Sequence, residues 1–413
     1  MKKCKLGEIS DIITGPFGSQ LHASDYVEKG VPSIMPKDIG DRIVIHDTIA
    51  HITEEDANRL SKYRVELGDI VYSRRGDIER CALITESDVG DLCGTGCLRV
   101  RPDKRYVNPV FLSFYLSTPH IRKWIVDNAT GATMPNLNSA ILKKLPVELP
   151  DLEVQHKIAK KLRAIDDKVN INNKIMLTLE SMAKTLYDYW FVQFDFPDDN
   201  GHPYKTSGGK MEWNETLSRE IPAGWEIDNL FRIASYVNGL ACQKFRPQDG
   251  EESLPVIKIR EMHEGISSDT EFVSAGIPSE NVIEDGDILF SWSATLEIQY
   301  WTGGKGGLNQ HIFKVIPSNC FPKEYVYHQL KDYIVNFVKI AEARKTTMGH
   351  ITQDHLNFSR IAIPPADVLK RFEERMKPIH KQMIKLNQEN RQLSSLRDYL
   401  LPLLMNGQVT FRQ

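Results

Sequence analysis

The strongest constraint on how this chain can fold is that most of it is written twice. Gly30-Val31-Pro32-Ser33-Ile34 returns as Ser253-Leu254-Pro255-Val256-Ile257. Gly68-Asp69-Ile70-Val71-Tyr72-Ser73 returns as Gly286-Asp287-Ile288-Leu289-Phe290-Ser291, and Leu98-Arg99-Val100-Arg101-Pro102 as Phe313-Lys314-Val315-Ile316-Pro317. Thr133-Met134 and Leu137 match Thr347-Met348 and Ile351, and Pro150 matches Pro364. The offset drifts from 223 to 214, as small loop insertions and deletions would produce. Each match is short, but their shared order marks a duplicated globular unit. Gly-Asp turns followed by β-branched and aromatic runs predict short strands. Helical spacing over Val110–Val126 and Tyr325–Ile340 adds helices. Each copy therefore reads as α+β.

A heptad stripe follows each copy. The first runs through Ile158, Leu162, Ile165, Val169, Asn172, Met176, Leu179, Ala183, Leu186 and Trp190. The second runs through Phe372, Met376, Ile379, Met383, Leu386, Asn390, Leu393, Arg397, Leu400 and Leu404. Steps alternating between four and three put these residues on one helical face, the pattern of a coiled-coil seam. The first stripe spans about 50 Å at ~1.5 Å per residue. Two such helices in one chain can pair with each other. In an antiparallel register that sets Ile158 against Leu404, Asn172 falls opposite Asn390. Two facing amides satisfy each other and fix register, at some cost in stability.

The organisation that follows is a first globular unit (1–150), a central helix (151–193), a linker (194–214), a second globular unit (215–365) and a C-terminal helix (366–406). The linker is rich in Pro, Gly and Asp between Phe196 and Lys210, and reads as a surface connection. Antiparallel helices would place two similar units about a pseudo-two-fold axis, an arrangement suited to a target with two separated half-sites, as on DNA.

Gly15-Pro16-Phe17-Gly18-Ser19-Gln20-Leu21, followed by Asp25-Tyr26, together with this layout resembles the specificity subunit of type I restriction–modification enzymes. So do Gly131-Ala132-Thr133-Met134-Pro135-Asn136-Leu137-Asn138, Leu145-Pro146-Val147-Glu148-Leu149-Pro150 with Val154-Gln155, and Ile221-Pro222-Ala223-Gly224-Trp225. The second copy departs from the pattern, with Val237-Asn238-Gly239-Leu240 in place of the Gly-Pro-Phe-Gly-Ser run and Leu369 in place of Gln155. The resemblance implies two target-recognition domains joined by two long helices that pair as an antiparallel coiled coil. It implies a non-catalytic subunit that reads one half of a split double-stranded DNA target with each domain. Two methyltransferase subunits would use S-adenosylmethionine to methylate adenine. Two restriction subunits would use ATP and Mg to translocate and cleave.

Composition is compatible with this and excludes other classes. The net charge of −3 rules out a strongly basic polyelectrolyte binder, but a local patch or a partner can still supply a positive field. Residues 1–150 carry 20 basic and 20 acidic side chains and residues 215–365 carry 14 and 20, so a DNA-facing patch must be asymmetric. No apolar run is long enough to span a bilayer, which argues against a membrane partner. The N-terminus lacks the apolar core of a secretion signal, and six sparse cysteines without a CxxC pair read as reduced thiols. The expected location is the cytoplasm, and no cofactor or metal is expected on this chain. There is no P-loop and no Asn-Pro-Pro-aromatic tetrapeptide, and Gly94-Thr95-Gly96 reads as a turn. Pro150-Asp151 with Asp166-Asp167-Lys168 formally matches a nuclease pattern. The second element lies on the heptad helix, where its charges are expected to face solvent.

Candidate DNA contacts are Lys37, Arg74, Arg75, Arg80, Thr133 and Asn136 in the first copy. In the second they are Lys258, Arg260, Lys305, Gln310, Arg344 and Lys345. Arginine forks bridge guanine O6 and N7, lysine finds phosphate, and Asn or Gln reads adenine edges.

Overall fold

The computed structural model describes all residues except 1, 18, 132–134, 268, 294, 344–350 and 410–413. The chain divides into two compact units. One contains Met1–Lys168 with Leu393–Gln413, and the other Val169–Gln392. Each long helix contributes to both. The central helix is Leu152–Tyr187 and the C-terminal helix Ala366–Met405.

The first unit is built on two four-stranded sheets. In the antiparallel one, Ser10–Thr14 lies beside Cys97–Pro102, then Ile70–Ser73, then Cys81–Leu83. In the mixed one, Tyr26–Val27, Ala50–Ile52, Val31–Ile34 and Leu92–Cys93 follow in that order, the last two parallel. The second unit repeats this plan, except that the short extra strand of its mixed sheet lies on the opposite edge. Ala234–Asn238, Ile312–Pro317, Ile288–Ser291 and Glu297–Tyr300 form the antiparallel sheet. Phe272–Ser274, Ser253–Ile257, Gly306–Leu308 and Val282–Ile283 form the mixed one, again with one parallel pair.

The duplication extends to register. Ile70 pairs with Val100, and Ile288 with Val315; Ile34 pairs with Cys93, and Ile257 with Leu308. In each copy the Gly-Asp turn starts a fully buried strand, with Gly68 at φ 91° and Gly286 at φ 90°. Only glycine takes up that left-handed backbone without strain.

The helical expectation needs one correction. Val110–Val126 is two helices, Pro109–Leu116 and Pro119–Asn128. Pro119 lacks the N–H to continue the first helix, so it opens the second instead. Its counterpart in the second copy, without an internal proline, is a single helix, Lys323–Ala343.

The long helices pair antiparallel in each unit. In the first, Ile158 and Leu162 share a core with Leu401, Leu404 and Met405. In the second, Trp190 packs on Phe372 with ring centroids 5.5 Å apart. There Asn172, fully buried, donates from Nδ2 to Asn390 Oδ1 at 2.9 Å and to Glu389 Oε2 at 2.9 Å. Asn390 Nδ2 donates in turn to Asn173 Oδ1 at 2.8 Å. The remaining stripe positions, Ile165, Val169, Met176, Leu179, Ile379 and Leu393 among them, are half-buried, while Met376, Met383 and Leu386 are buried.

Two local readings are overturned. Asp166 is no solvent-face charge: it accepts from Arg42 Nη2 at 2.5 Å and from Arg397 Nη1 at 3.2 Å. The seam substitution Arg397 thus has a carboxylate to meet it. The linker is more than a surface connection, because its aromatic residues enter the second core. Phe194 and Phe196 pack on Trp225 at 5.4 and 5.5 Å.

Candidate nucleic-acid interface

At one edge of the first antiparallel sheet, three strands end together. Gly15 N donates to Cys97 O at 2.9 Å, and Arg74 N to Gly96 O at 2.8 Å. Leu137 N closes the edge by donating to Arg74 O at 3.0 Å, and Asn136 bridges Arg75 through the backbone. A Cβ on Gly15 would stand 2.3 Å from Gly94 O, so only glycine permits this approach of two backbones.

This edge gathers three of the sequence candidates. Arg74 Nε donates to Asn136 Oδ1 at 3.1 Å, and its guanidinium lies 5.7 Å from the Phe17 ring centroid. Phe17 is 55% exposed, unusual for a phenylalanine with no apolar cover. Arg75 is exposed, and its guanidinium has no acidic partner among the described residues. Asn136 and Phe17 hold the Arg74 fork in place, which lowers the entropy lost on engaging a base edge or phosphate. Lys37 lies on the Pro36–Asp38 turn beside this edge. Pro36 is 3.2 Å from where a Gly96 Cβ would stand. Its Nζ donates to Thr48 O at 2.7 Å. Arg80 pairs with Asp77 at 3.4 Å and is half-exposed. Thr133 lies outside the described residues.

The thiols behind this edge are structural. Cys97 Sγ donates to Ile34 O at 3.3 Å, and burial pushes the Cys93 thiol up to about 12. Gly94–Gly96 is a turn, and Gly96 has φ 84°.

The second unit rebuilds the same edge with different chemistry. Gly239 N donates to Ile312 O at 3.1 Å, Trp292 N to His311 O at 3.3 Å, and Ile351 N to Trp292 O at 3.0 Å. A Cβ on Gly239 would meet Asn309 O at 2.0 Å. Gly239, Trp292, His311 and Ile351 therefore occupy the places of Gly15, Arg74, Gly96 and Leu137. The Trp292 ring packs against His311 at 5.6 Å and Phe313 at 5.8 Å. Gln310 Nε2 lies 3.2 Å from His311 Nε2.

Three further candidates here have acidic partners of their own. Lys258 pairs with Glu271 at 2.7 Å, Arg260 with Glu261 at 2.6 Å and Lys305 with Glu284 at 3.3 Å. Among the described residues no contact joins them to Gln310. Arg344 and Lys345 lie outside the described residues.

Selecting candidates by charge passed over Phe17, Trp292 and His311. The signal for Trp292 was present in the repeat: aligning Ser73 with Ser291 sets Trp292 at the place of Arg74.

Comparison with known proteins agrees with this architecture. Residues 1–181 match the family model described as "Type I restriction modification DNA specificity domain". The HindI specificity subunit of Haemophilus influenzae is 24% identical, over 99% of this chain and 99% of its own length. The MjaIX specificity subunit of Methanocaldococcus jannaschii is 23% identical, over 98% and 92%. Among solved structures, the S subunit of the type I restriction–modification system from M. genitalium superposes with a TM-score of 0.60 at 14% identity. The match covers 98% of this chain and 95% of that one. The family resemblance read from the sequence is borne out.

Proposed function

We infer that this chain, related from end to end to type I specificity subunits, reads a bipartite double-stranded DNA target through the sheet edges of its two units. The observation that carries the reading is one backbone frame displayed twice with different side chains. Arg74, Arg75, Asn136 and Phe17 stand on one copy, and Trp292, Gln310 and His311 on the other. Arginine and asparagine make bidentate contacts to purine edges. A tryptophan–histidine–glutamine edge offers apolar contact, a histidine hydrogen bond and a glutamine amide that reads adenine, without a guanidinium for guanine. Two such edges select two different half-sites.

In this reading the chain carries no catalytic group. Two methyltransferase subunits supply adenine methylation with S-adenosylmethionine. Two restriction subunits supply translocation and cleavage with ATP and Mg. The antiparallel helix pair sets the distance between half-sites and docks the methyltransferases. The assembly works in the cytoplasm, where its DNA is, and no helix of the described residues is long and apolar enough to cross a membrane. The balanced charge means that the chain alone holds phosphate weakly and gains affinity and specificity with its partners.

The test is target mapping by methylation sequencing with the reconstituted methyltransferase complex. Two defined half-sites separated by a fixed non-specific spacer are expected. A continuous single site, or methylation by this chain without partners, overturns the reading.

A further inference from the structure

Away from the sheet edges, the first unit brings together two buried carboxylates and an exposed histidine that the DNA-reading function does not use. Asp91 is only 5% exposed, yet its carboxylate accepts no hydrogen bond among the described residues. No ion pair joins it to a lysine or arginine among the described residues; Arg64 donates instead to the carbonyl of Gly90. Burial, helped by the neighbouring Asp88 charge and opposed by His46, raises the carboxyl to about 7. A buried carboxylate without a partner is among the costlier things a fold can contain, and it calls for a proton or a cation.

Two further donors face it. Asp88, equally buried, is held as an anion: its Oδ2 accepts from Thr85 N at 2.7 Å and Thr85 Oγ1 at 2.6 Å. Burial opposes that ionisation, but the hydrogen bonds from Thr85 and His46 outweigh it and lower the Asp88 pKa. Asp88 Oδ1 lies 2.8 Å from His46 Nε2. One ligand atom from each of His46, Asp88 and Asp91 lies within 4.8 Å of the other two. Proton sharing between His46 and Asp88 accounts for that pair but leaves Asp91 unexplained.

We propose that His46, Asp88 and Asp91 form a site for one divalent first-row metal ion, with zinc the best match. One imidazole and two carboxylates are zinc-type ligands, and water would complete the coordination. Ligand atoms on one such ion stand about 3–3.4 Å apart at ~2.1 Å from the metal, so the His46–Asp88 contact must open slightly and the set, now within 4.8 Å, must close on the ion. The scaffold is preformed. Asp91 N donates to Asp88 O at 3.2 Å, and Val65 N to Asp91 O at 2.9 Å, just before the Leu92–Cys93 strand. Ile45 N donates to Asp38 O at 2.8 Å and anchors the His46 segment. A bound ion would tie that segment to the mixed sheet of the first unit. The three donors come from two segments that no disulfide joins, since all six cysteines are free.

The experiment is a zinc chloride titration of the metal-depleted full chain, carrying Cys320→Ser so that the exposed thiol does not contribute. One equivalent is expected to bind. Asp91→Asn and His46→Gln should each weaken binding at least about tenfold, with an unchanged circular dichroism spectrum in the metal-free state. X-ray absorption of the zinc-loaded parent should show nitrogen and oxygen ligands only, which keeps the test decisive if a variant fails to fold. No binding at micromolar zinc, binding undiminished in Asp91→Asn, or a sulfur ligand overturns the site.

Discussion

The amide pair in the helix seam gives a quantitative test of how the two long helices are held in register. Asn172→Leu removes two hydrogen bonds, one to the neutral Asn390 and one to the carboxylate of Glu389. A neutral bond contributes about 1 kcal/mol and a charged one about 1.5–3 kcal/mol. Glu389 is half-buried and regains water, which recovers part of its share. Burying a leucine in the same place returns about 1.5 kcal/mol. The net expected loss is about 1–2 kcal/mol. Asn390→Leu leaves the fully buried Asn172 facing an apolar partner and should cost a similar amount. Asn172→Leu with Asn390→Leu removes both partners together, so its loss should fall about 1–2 kcal/mol short of the sum of the singles. The assay is urea unfolding followed by tryptophan fluorescence. Trp190, Trp213, Trp225, Trp292 and Trp301, five of the six tryptophans, lie in the unit that contains the amide pair. Strictly additive losses would refute the pairing as an energetic unit. A double variant that retains stability but forms mixed helix registers, detected by engineered cross-links, would show that the amides specify alignment rather than supply stability.

Four further outcomes follow from the same structure. Burial and mutual repulsion lower the pKa of His328 to about 2 and burial that of His380 to about 4, and their Nε2 atoms are 2.9 Å apart. Both values lie below the ordinary histidine value, so the neutral pair stabilises the fold above about pH 6.5 and this is lost as pH falls toward 4. From pH 7 to pH 5 the second unit should lose roughly 2–4 kcal/mol; a flat tryptophan-detected melting temperature over that range would contradict this. Gly15→Ala and Gly239→Ala each force a Cβ against a carbonyl oxygen, so each should cost at least about 2 kcal/mol and abolish reading of one half-site, as thermal melts and target mapping would reveal. Arg74→Ala and Trp292→Ala should each relax base preference in a different half of the target, by about 1–3 kcal/mol per base pair; loss in both halves from either change would show a composite reading surface. Exchanging residues 215–365 for another recognition domain should alter one half-site in methylation sequencing and leave the other intact.

The duplication and the helix register were legible in the sequence because they depend on pattern. Strand pairing repeats wherever the apolar alternation repeats, so Ile70 with Val100 foretells Ile288 with Val315. A heptad face admits few alignments, and Asn172 with Asn390 selects one of them. What each charge does was not legible, because that depends on which groups from distant segments arrive beside it. Lys258, Arg260 and Lys305 look like Arg75 in the sequence, yet each has a carboxylate next to it in the fold while Arg75 has none among the described residues. Asp166 looked like a solvent charge until Arg42, 124 residues earlier, and Arg397, 231 residues later, closed on it. His46, Asp88 and Asp91 have no spacing that marks them as a set. Asp88 and Asp91 share one turn, but His46 lies 42 residues before Asp88, and only the fold sets its donor atom beside theirs.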